Sequence, residues 1–521
     1  GSVMDMPVHA GDPLTPGVAA IPGAQRLAVK DAAVIMKIPV LPISYGDAQP
    51  LLAALKGPVA PENWRGGLPI TYRIGPGPAR VHLKLAFNWD IKPLYDVIAR
   101  LRGSTLPDEW IVRGNHHDAW VNGAEDPISG MVPLLEEARA LGELVKQGWR
   151  PKRTLVYAAW DGEEPALLGS TEWVEAHRDE LARHGVAYIN TDGNGRGFFG
   201  AGGSHTLEKL VNEVIKDVED PETKLTVWKR AQLATIRTGS AAQRADARDR
   251  PDLRIEALGS GSDFTPFLQH AGVATLSMGF GGEDGGGIYH SIYDDFYWFT
   301  RFSDTSFVYG RALAQVVGST VMRLANAELL PFAFTNMAET AAGYLRELQT
   351  LRDTLATRIV ERNRQLDEGV FAATSDPRAP TQPPKREAPA PHLNVAGLQN
   401  AVDALRRAAD DYENAVLKAH ENGGTTLARA SLVGVNAMLI RAERSLISPA
   451  GLPKRPWYKH LLYAPGLYTG YGVKTMPSAR EAIEQRRWDE ANTELSRIAE
   501  AIDAQARLVR SATEALIQLS K

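Results

Sequence analysis

Three short apolar runs in this chain each end on residues that can do chemistry, and the stretches between them carry helical spacing. Glu109 to Arg113 (EWIVR) leads into Gly114-Asn115-His116, Arg153 to Trp160 (RTLVYAAW) into Asp161-Gly162-Glu163-Glu164, and Val186 to Asn190 (VAYIN) into Thr191-Asp192. Between the first two runs Met131, Leu134, Leu135, Ala138, Leu141, Leu144 and Val145 recur at threes and fours, with Ser129 suited to cap the start and Gly148 to stop the end. A second helix is predicted from Pro165 to Gly185. Strand, helix, strand, helix, strand is the order of an α/β fold with a doubly wound, mixed but mostly parallel sheet covered on both faces. In such sheets sites form outside the carboxyl ends of the strands, which is where His116, Glu163, Glu164 and Asp192 fall.

The chain has no cysteine, which excludes disulfides and thiolate metal sites and leaves imidazole nitrogen and carboxylate oxygen as donors. Two zinc ions ~3.5–4 Å apart need a bridging carboxylate, further ligands on each ion, and a nearby carboxylate to take a proton from the bridging water. The inventory is sufficient: Asp126 as bridge, His116 with Asp192 on one ion, Glu164 with His290 on the other, and Glu163 as base. Asp118, two residues beyond His116, can hold the imidazole in place. Any one of these residues alone reads as a structural histidine or a solvated acid; several at successive strand ends read as a site.

These residues also carry a family resemblance. Gly114-Asn115-His116-His117-Asp118-Ala119-Trp120, Asp126-Pro127-Ile128-Ser129-Gly130, Trp160-Asp161-Gly162-Glu163-Glu164 with Leu168 to Trp173, Tyr188-Ile189-Asn190-Thr191-Asp192 and Tyr289-His290-Ser291 resemble the co-catalytic zinc peptidases of the glutamate carboxypeptidase II and transferrin receptor group. The likeness runs from Asp12-Pro13-Leu14-Thr15-Pro16-Gly17 to Tyr463-Ala464-Pro465. It implies the zinc ligands given above, Glu163 as general acid and base, and a zinc aminopeptidase type of sheet. It implies Tyr289 as a donor to the tetrahedral intermediate, and Gly261 and Ser262 as neighbours of a peptide substrate. It further implies one calcium ion between the backbone carbonyls of Thr15 and Val18 and the carboxylates of Glu172 and Glu175, an oxygen-only set suited to calcium.

Substrate choice is where the chain departs from the glutamate-specific members. Their arginines in the strand after the Gly-Ile-Ala-like segment are missing from Gly272 to Phe280, and Gly470-Tyr471 stands where they have a Lys-Tyr pair. Only Tyr471 remains to bind substrate, so an aminopeptidase or dipeptidase acting on other residues is as well supported as a carboxypeptidase. Two further readings set the contrast. A receptor-like binding protein of the same fold predicts a broken ligand set, and here every position is filled. A two-metal phosphoesterase would want basic clamps, and Arg196 is the nearest.

The resemblance divides the chain into the later part of an apical domain (1–88), the zinc peptidase domain (89–325) and a helical part (326–521) expected to form a homodimer. In the last part Leu348 to Leu366, Val395 to Lys418, Leu427 to Leu446 and Trp488 to Leu519 have helical spacing, and the proline-rich stretch 375–392 reads as an exposed linker. Because the apical domain begins midway, an N-terminal fragment of the same protein is expected as partner, and with it a signal for a periplasmic or secreted location. A net charge of -4 gives no reason to seek nucleic acid, and no run of 18 or more apolar residues offers a membrane-spanning helix.

Overall fold

A computed structural model describes residues 5–378, 382–421 and 429–519. The expectations placed on residues 1–4, on Pro380 and on the start of the helix predicted from Leu427 lie outside the described residues. The centre is a six-stranded sheet of β1 (Val97–Leu101), β2 (Leu106–His116), β3 (Arg153–Trp160), β4 (Gly185–Asn190), β5 (Gly197–Gly203) and β6 (Thr275–Gly282), in the order β1-β3-β2-β4-β6-β5. The four inner strands are parallel, while β1 and β5 close the edges antiparallel. All eight residues of β3 are buried, which is why Leu155 to Trp160 reads as an unbroken apolar run.

Alternate residues of the inner strands feed two cores. Ile111, Leu155 and Tyr157 meet Leu134 and Leu141 of α1 (Ile128–Lys146), whereas Val112, Val156, Ala158 and Trp160 meet Trp173, Val174 and Leu181 on the opposite side. Each such aliphatic side chain contributes about 1.5–3 kcal/mol of burial. A buried charge also ties α1 to the sheet: Arg113 Nε lies 3.2 Å from Glu137 Oε2, and the Tyr157 hydroxyl donates to Glu137 Oε1 at 2.6 Å.

The helix ends differ from expectation at one terminus. Gly148 does stop α1, at φ +98°, with its own N–H on Val145 and that of Trp149 on Leu144, both at 3.0 Å. Ser129 is no cap, because α1 already begins at Ile128. Its hydroxyl donates to the Glu125 carbonyl at 2.5 Å and accepts the Asn194 N–H at 2.6 Å, tying the helix start to the chain after β4. The single helix predicted from Pro165 to Gly185 is three pieces: Glu163–Ala166, α2 (Leu168–Ala176) and α3 (Arg178–His184). Leu167 breaks it at φ 57°, and Leu168 and Gly169 then donate back to Gly162 and Asp161 at 2.8 and 2.9 Å. The break keeps Glu163 and Glu164 at the strand end while Trp173 turns into the core.

No regular strand forms in residues 5–96, but residues 5–20 pack on the peptidase body. Gly11 N–H donates to Ala166 at 2.9 Å, and the Tyr458 hydroxyl to the Met6 carbonyl at 2.7 Å. After α4 (Val308–Asn326) come the long helices α5 (Thr335–Asp367), α6 (Ala396–Glu421), α7 (Arg429–Arg444) and α8 (Trp488–Leu519). Helix α5 starts well before the predicted Leu348, since Met337, Ala338, Ala341, Tyr344 and Leu345 are buried in the core. The described proline-rich stretch is not free: Asn363 of α5 donates to the Glu387 carbonyl at 2.7 Å, and Arg486 Nε lies 2.5 Å from the Glu387 carboxylate. A small hairpin of β7 (Tyr463–Pro465) and β8 (Val473–Thr475) carries Tyr471 back to the sheet.

Candidate metal centre

His116 is the last residue of β2, Glu163 and Glu164 open the turn after β3, Asp192 follows β4, Asp126 precedes α1, and His290 lies beyond β6. The fold brings all six together. His116 Nε2 lies 3.1 Å from Asp192 Oδ1 and 3.3 Å from Asp126 Oδ1, while His290 Nε2 lies 3.2 Å from both Asp126 Oδ2 and Glu164 Oε2. Two ligand-capable clusters result, His116–Asp126–Asp192 and Asp126–Glu164–His290, and Asp126 belongs to both. Glu163 is buried beside them, with Oε2 3.9 Å from His116 Nε2.

Asp118 does more than hold an imidazole. Its backbone carbonyl and its carboxylate lie 3.1 and 3.5 Å from His116 Nδ1, and the same carboxylate accepts the backbone N–H groups of Glu163 at 3.0 Å and Glu164 at 3.2 Å. It thus fixes the end of β2 against the turn after β3. Asp294, which sequence reasoning passed over, plays a similar part by accepting the N–H groups of Glu125 at 2.6 Å and Asp126 at 3.0 Å. Its position four residues after His290 was a signal, but the adjoining Asp295 is only the cap of the next helix, and sequence cannot tell the two apart.

Five carboxylates, those of Asp118, Asp126, Glu163, Glu164 and Asp192, face two imidazoles here. Burial pushes Glu163 well above the usual carboxylate range, with Asp192, Asp263 and Glu164 adding to the rise, and Glu164 is pushed up to about 8 by burial and by Asp126. Burial would depress the His116 imidazole, yet Asp192, Asp118 and Asp126 hold it well above its ordinary value. Such a surplus of negative charge, on nitrogen and oxygen donors alone, fits divalent zinc.

A cavity of about 120 Å³ opens over the cluster, lined by Met6, Asp126, Glu163, Glu164, Asp192, Gly261, Tyr289, His290 and Tyr471. Tyr289 is 61% exposed and its ring stacks on His290 at 3.7 Å, so its hydroxyl is free to reach a ligand. Gly261 sits at φ +99°, and a Cβ there would come within 3.0 Å of the Tyr471 ring. Ser262 is buried instead, its hydroxyl donating to Asp192 Oδ2 at 2.5 Å. Arg196 does not line the cavity; it is paired with Glu222 at 2.7 Å.

At the expected calcium position, Glu172 accepts the N–H groups of Asp12 and Ala20 at 2.6 and 2.5 Å, and the Trp457 indole donates to Glu175 Oε1 at 2.8 Å. Glu175 Oε2 is buried without a hydrogen-bond partner. Burial raises Glu172 to about 7 and Glu175 to about 8. Val18 is 61% exposed, and the Thr15 carbonyl accepts the Val18 N–H at 3.0 Å.

Residues 96–301 match peptidase family M28, and residues 393–510 match the transferrin receptor-like dimerisation domain. The chain thus carries an M28 peptidase domain followed by a transferrin receptor-like dimerisation domain. Among individual proteins it is 33% identical to the probable glutamate carboxypeptidase LAMP1 of Arabidopsis thaliana over 94% of this chain and 64% of that protein. It is 34% identical to the probable glutamate carboxypeptidase VP8 of Zea mays (91% and 60%), and 28% identical to aminopeptidase NAALADL1 of Mus musculus (96% and 64%). The chain therefore spans somewhat over half the length of these relatives.

Proposed function

We propose that the chain is the catalytic part of a di-zinc exopeptidase that hydrolyses peptides or dipeptides. The sharing of Asp126 between two clusters, with Glu163 beside them, carries this reading. His116 and Asp192 would hold one ion, Glu164 and His290 the other, and Asp126 both. Bound zinc supplies Lewis-acid polarisation of the scissile carbonyl and of the attacking water. Glu163 takes the proton of that water on its carboxylate and returns it to the departing amine nitrogen, a role its place beside both clusters supports. Tyr289 donates a hydrogen bond from its hydroxyl to the carbonyl oxygen as charge builds there.

No arginine or lysine lines the cavity among the described residues, which supports peptides without a required C-terminal glutamate. Relatives named as glutamate carboxypeptidases and as an aminopeptidase leave the attacked end of the peptide to experiment. A second copy of this chain is the proposed partner of the dimerisation domain. A calcium ion at Glu175 would satisfy its unpartnered buried oxygen.

The test is a panel of dipeptides and blocked peptides, with and without a terminal glutamate, alongside zinc analysis. Two bound zinc ions, turnover of neutral peptides, and a loss of roughly 10²–10⁴-fold in Glu163→Gln with zinc retained are expected. Turnover unchanged by Glu163→Gln removes Glu163 from the mechanism, and exclusive cleavage of acetyl-aspartyl-glutamate refutes the specificity.

A further inference from the structure

A buried file of hydrogen bonds runs from the core of the sheet to one of the candidate ligands. Trp160 Nε1 donates to the Tyr188 hydroxyl at 3.0 Å, Tyr188 donates to Asn190 Oδ1 at 2.9 Å, Asn190 Nδ2 donates to Ser262 Oγ at 2.9 Å, and Ser262 donates to Asp192 Oδ2 at 2.5 Å. Trp160, Tyr188 and Asn190 have no exposed surface, and Ser262 has 4%.

The chemistry of the groups gives the file a single direction. An indole N–H can only donate, so the Tyr188 oxygen accepts there and its one proton goes on to Asn190 Oδ1. That contact fixes which way the Asn190 amide faces, and its NH₂ is turned to Ser262 at 2.9 Å and to the Ser277 hydroxyl at 3.3 Å. Ser262 Oγ accepts, and its own proton has the Asp192 carboxylate as its acceptor. Phe267 stacks on the Tyr188 ring at 3.8 Å and 2°, which holds the second member in place. At the far end Asp192 Oδ2 accepts from Ser262, while Oδ1 accepts the Gly193 N–H at 2.9 Å and stands 3.1 Å from His116 Nε2 inside the cluster.

We propose that Trp160, Tyr188, Asn190 and Ser262 are positioning residues for the metal centre, setting the rotation of Asp192 so that Oδ1 alone is presented to the cation held with His116. A carboxylate left free would swing between one-oxygen and two-oxygen binding; here the protein core has already chosen. Residues behind a ligand that orient it in this way change metal affinity by roughly 10–100-fold when removed. The inference rests on the reading of the two clusters as zinc sites.

The experiment is zinc titration of the purified protein in competition with a chromophoric chelator, on the wild-type chain and on Ser262→Ala, Ser262→Thr and Tyr188→Phe. Ser262→Ala is expected to weaken one of the two ions by roughly 10–100-fold and leave the other alone, and Ser262→Thr to keep the wild-type affinity. Tyr188→Phe, which touches no ligand, is expected to weaken the same ion by a smaller factor; a purely structural hydroxyl would lower the unfolding temperature without moving zinc affinity. Equal zinc affinity in wild type and Ser262→Ala, or a threonine variant as weak as the alanine one, overturns the inference alone. A wild-type chain that binds no zinc overturns the reading of the clusters and this inference with it.

Discussion

Replacing Gly130 with alanine would drive a wedge between the start of α1 and the far wall of the metal centre. Gly130 lies in the first turn of the helix, where a Cβ would stand 1.6 Å from the backbone oxygen of Asp192 and 2.6 Å from Asn115 Oδ1. Real Cβ atoms essentially never come closer than 3.0 Å, so the helix start and the end of β4 must separate by about 1.4 Å. The obstructing atom is backbone, so no side-chain rotation relieves it. Asp126 precedes the helix on one side of this contact and Asp192 stands on the other, and both offer donors to the same position beside His116. Overpacking of this kind costs about 1–3 kcal/mol, and a shift near 1 Å in reacting groups costs on the order of 10²-fold in rate. Urea unfolding, zinc competition and peptide turnover on Gly130→Ala would measure all three consequences. An unchanged unfolding midpoint together with wild-type zinc affinity would refute the claim that α1 and β4 meet this closely.

Other outcomes follow from groups away from the centre. Glu137→Ala leaves Arg113 buried without its partner and should cost about 3–5 kcal/mol in urea unfolding, whereas the double change Arg113→Met with Glu137→Leu should cost much less. His205 and His270 are each lowered to about 4, mainly by burial. The unfolded chain then takes up their protons first, so stability should be full above pH 6.5 and fall between pH 6.5 and 4, by up to about 3 kcal/mol per histidine. In His205→Gln that slope should flatten, and an unaltered slope counts against the assignment. Calcium should raise the thermal unfolding temperature of the wild-type protein but not of Glu175→Gln; an equal rise in both would place the ion elsewhere.

Much of the inner sheet was legible because β3 and β4 are buried at every residue and therefore mostly apolar. Arg153–Trp160 is β3 to the residue, and the run Val186 to Asn190 misses β4 by only its first residue, Gly185. The helix after β3 was misread because its break depends on Leu167 adopting φ 57°, which no propensity of leucine announces. Ser129 looked like a cap and is a cross-link, since Asn194, whose N–H its hydroxyl accepts, arrives from beyond β4, two strands further along the chain.

By itself the sequence determined the parallel arrangement and the residue types at the strand ends, because periodicity and the absence of cysteine leave few other ways to bury these runs or to bind a cation. Only the tertiary structure decided that Asp126 is within reach of both histidines, that Asp118 and Asp294 brace the turns around it, and that Ser262 serves Asp192 rather than the cavity. Those are contacts between residues up to 169 positions apart in the chain. Hydrogen bonds at such separations depend on how helices and strands pack, and no local pattern records them.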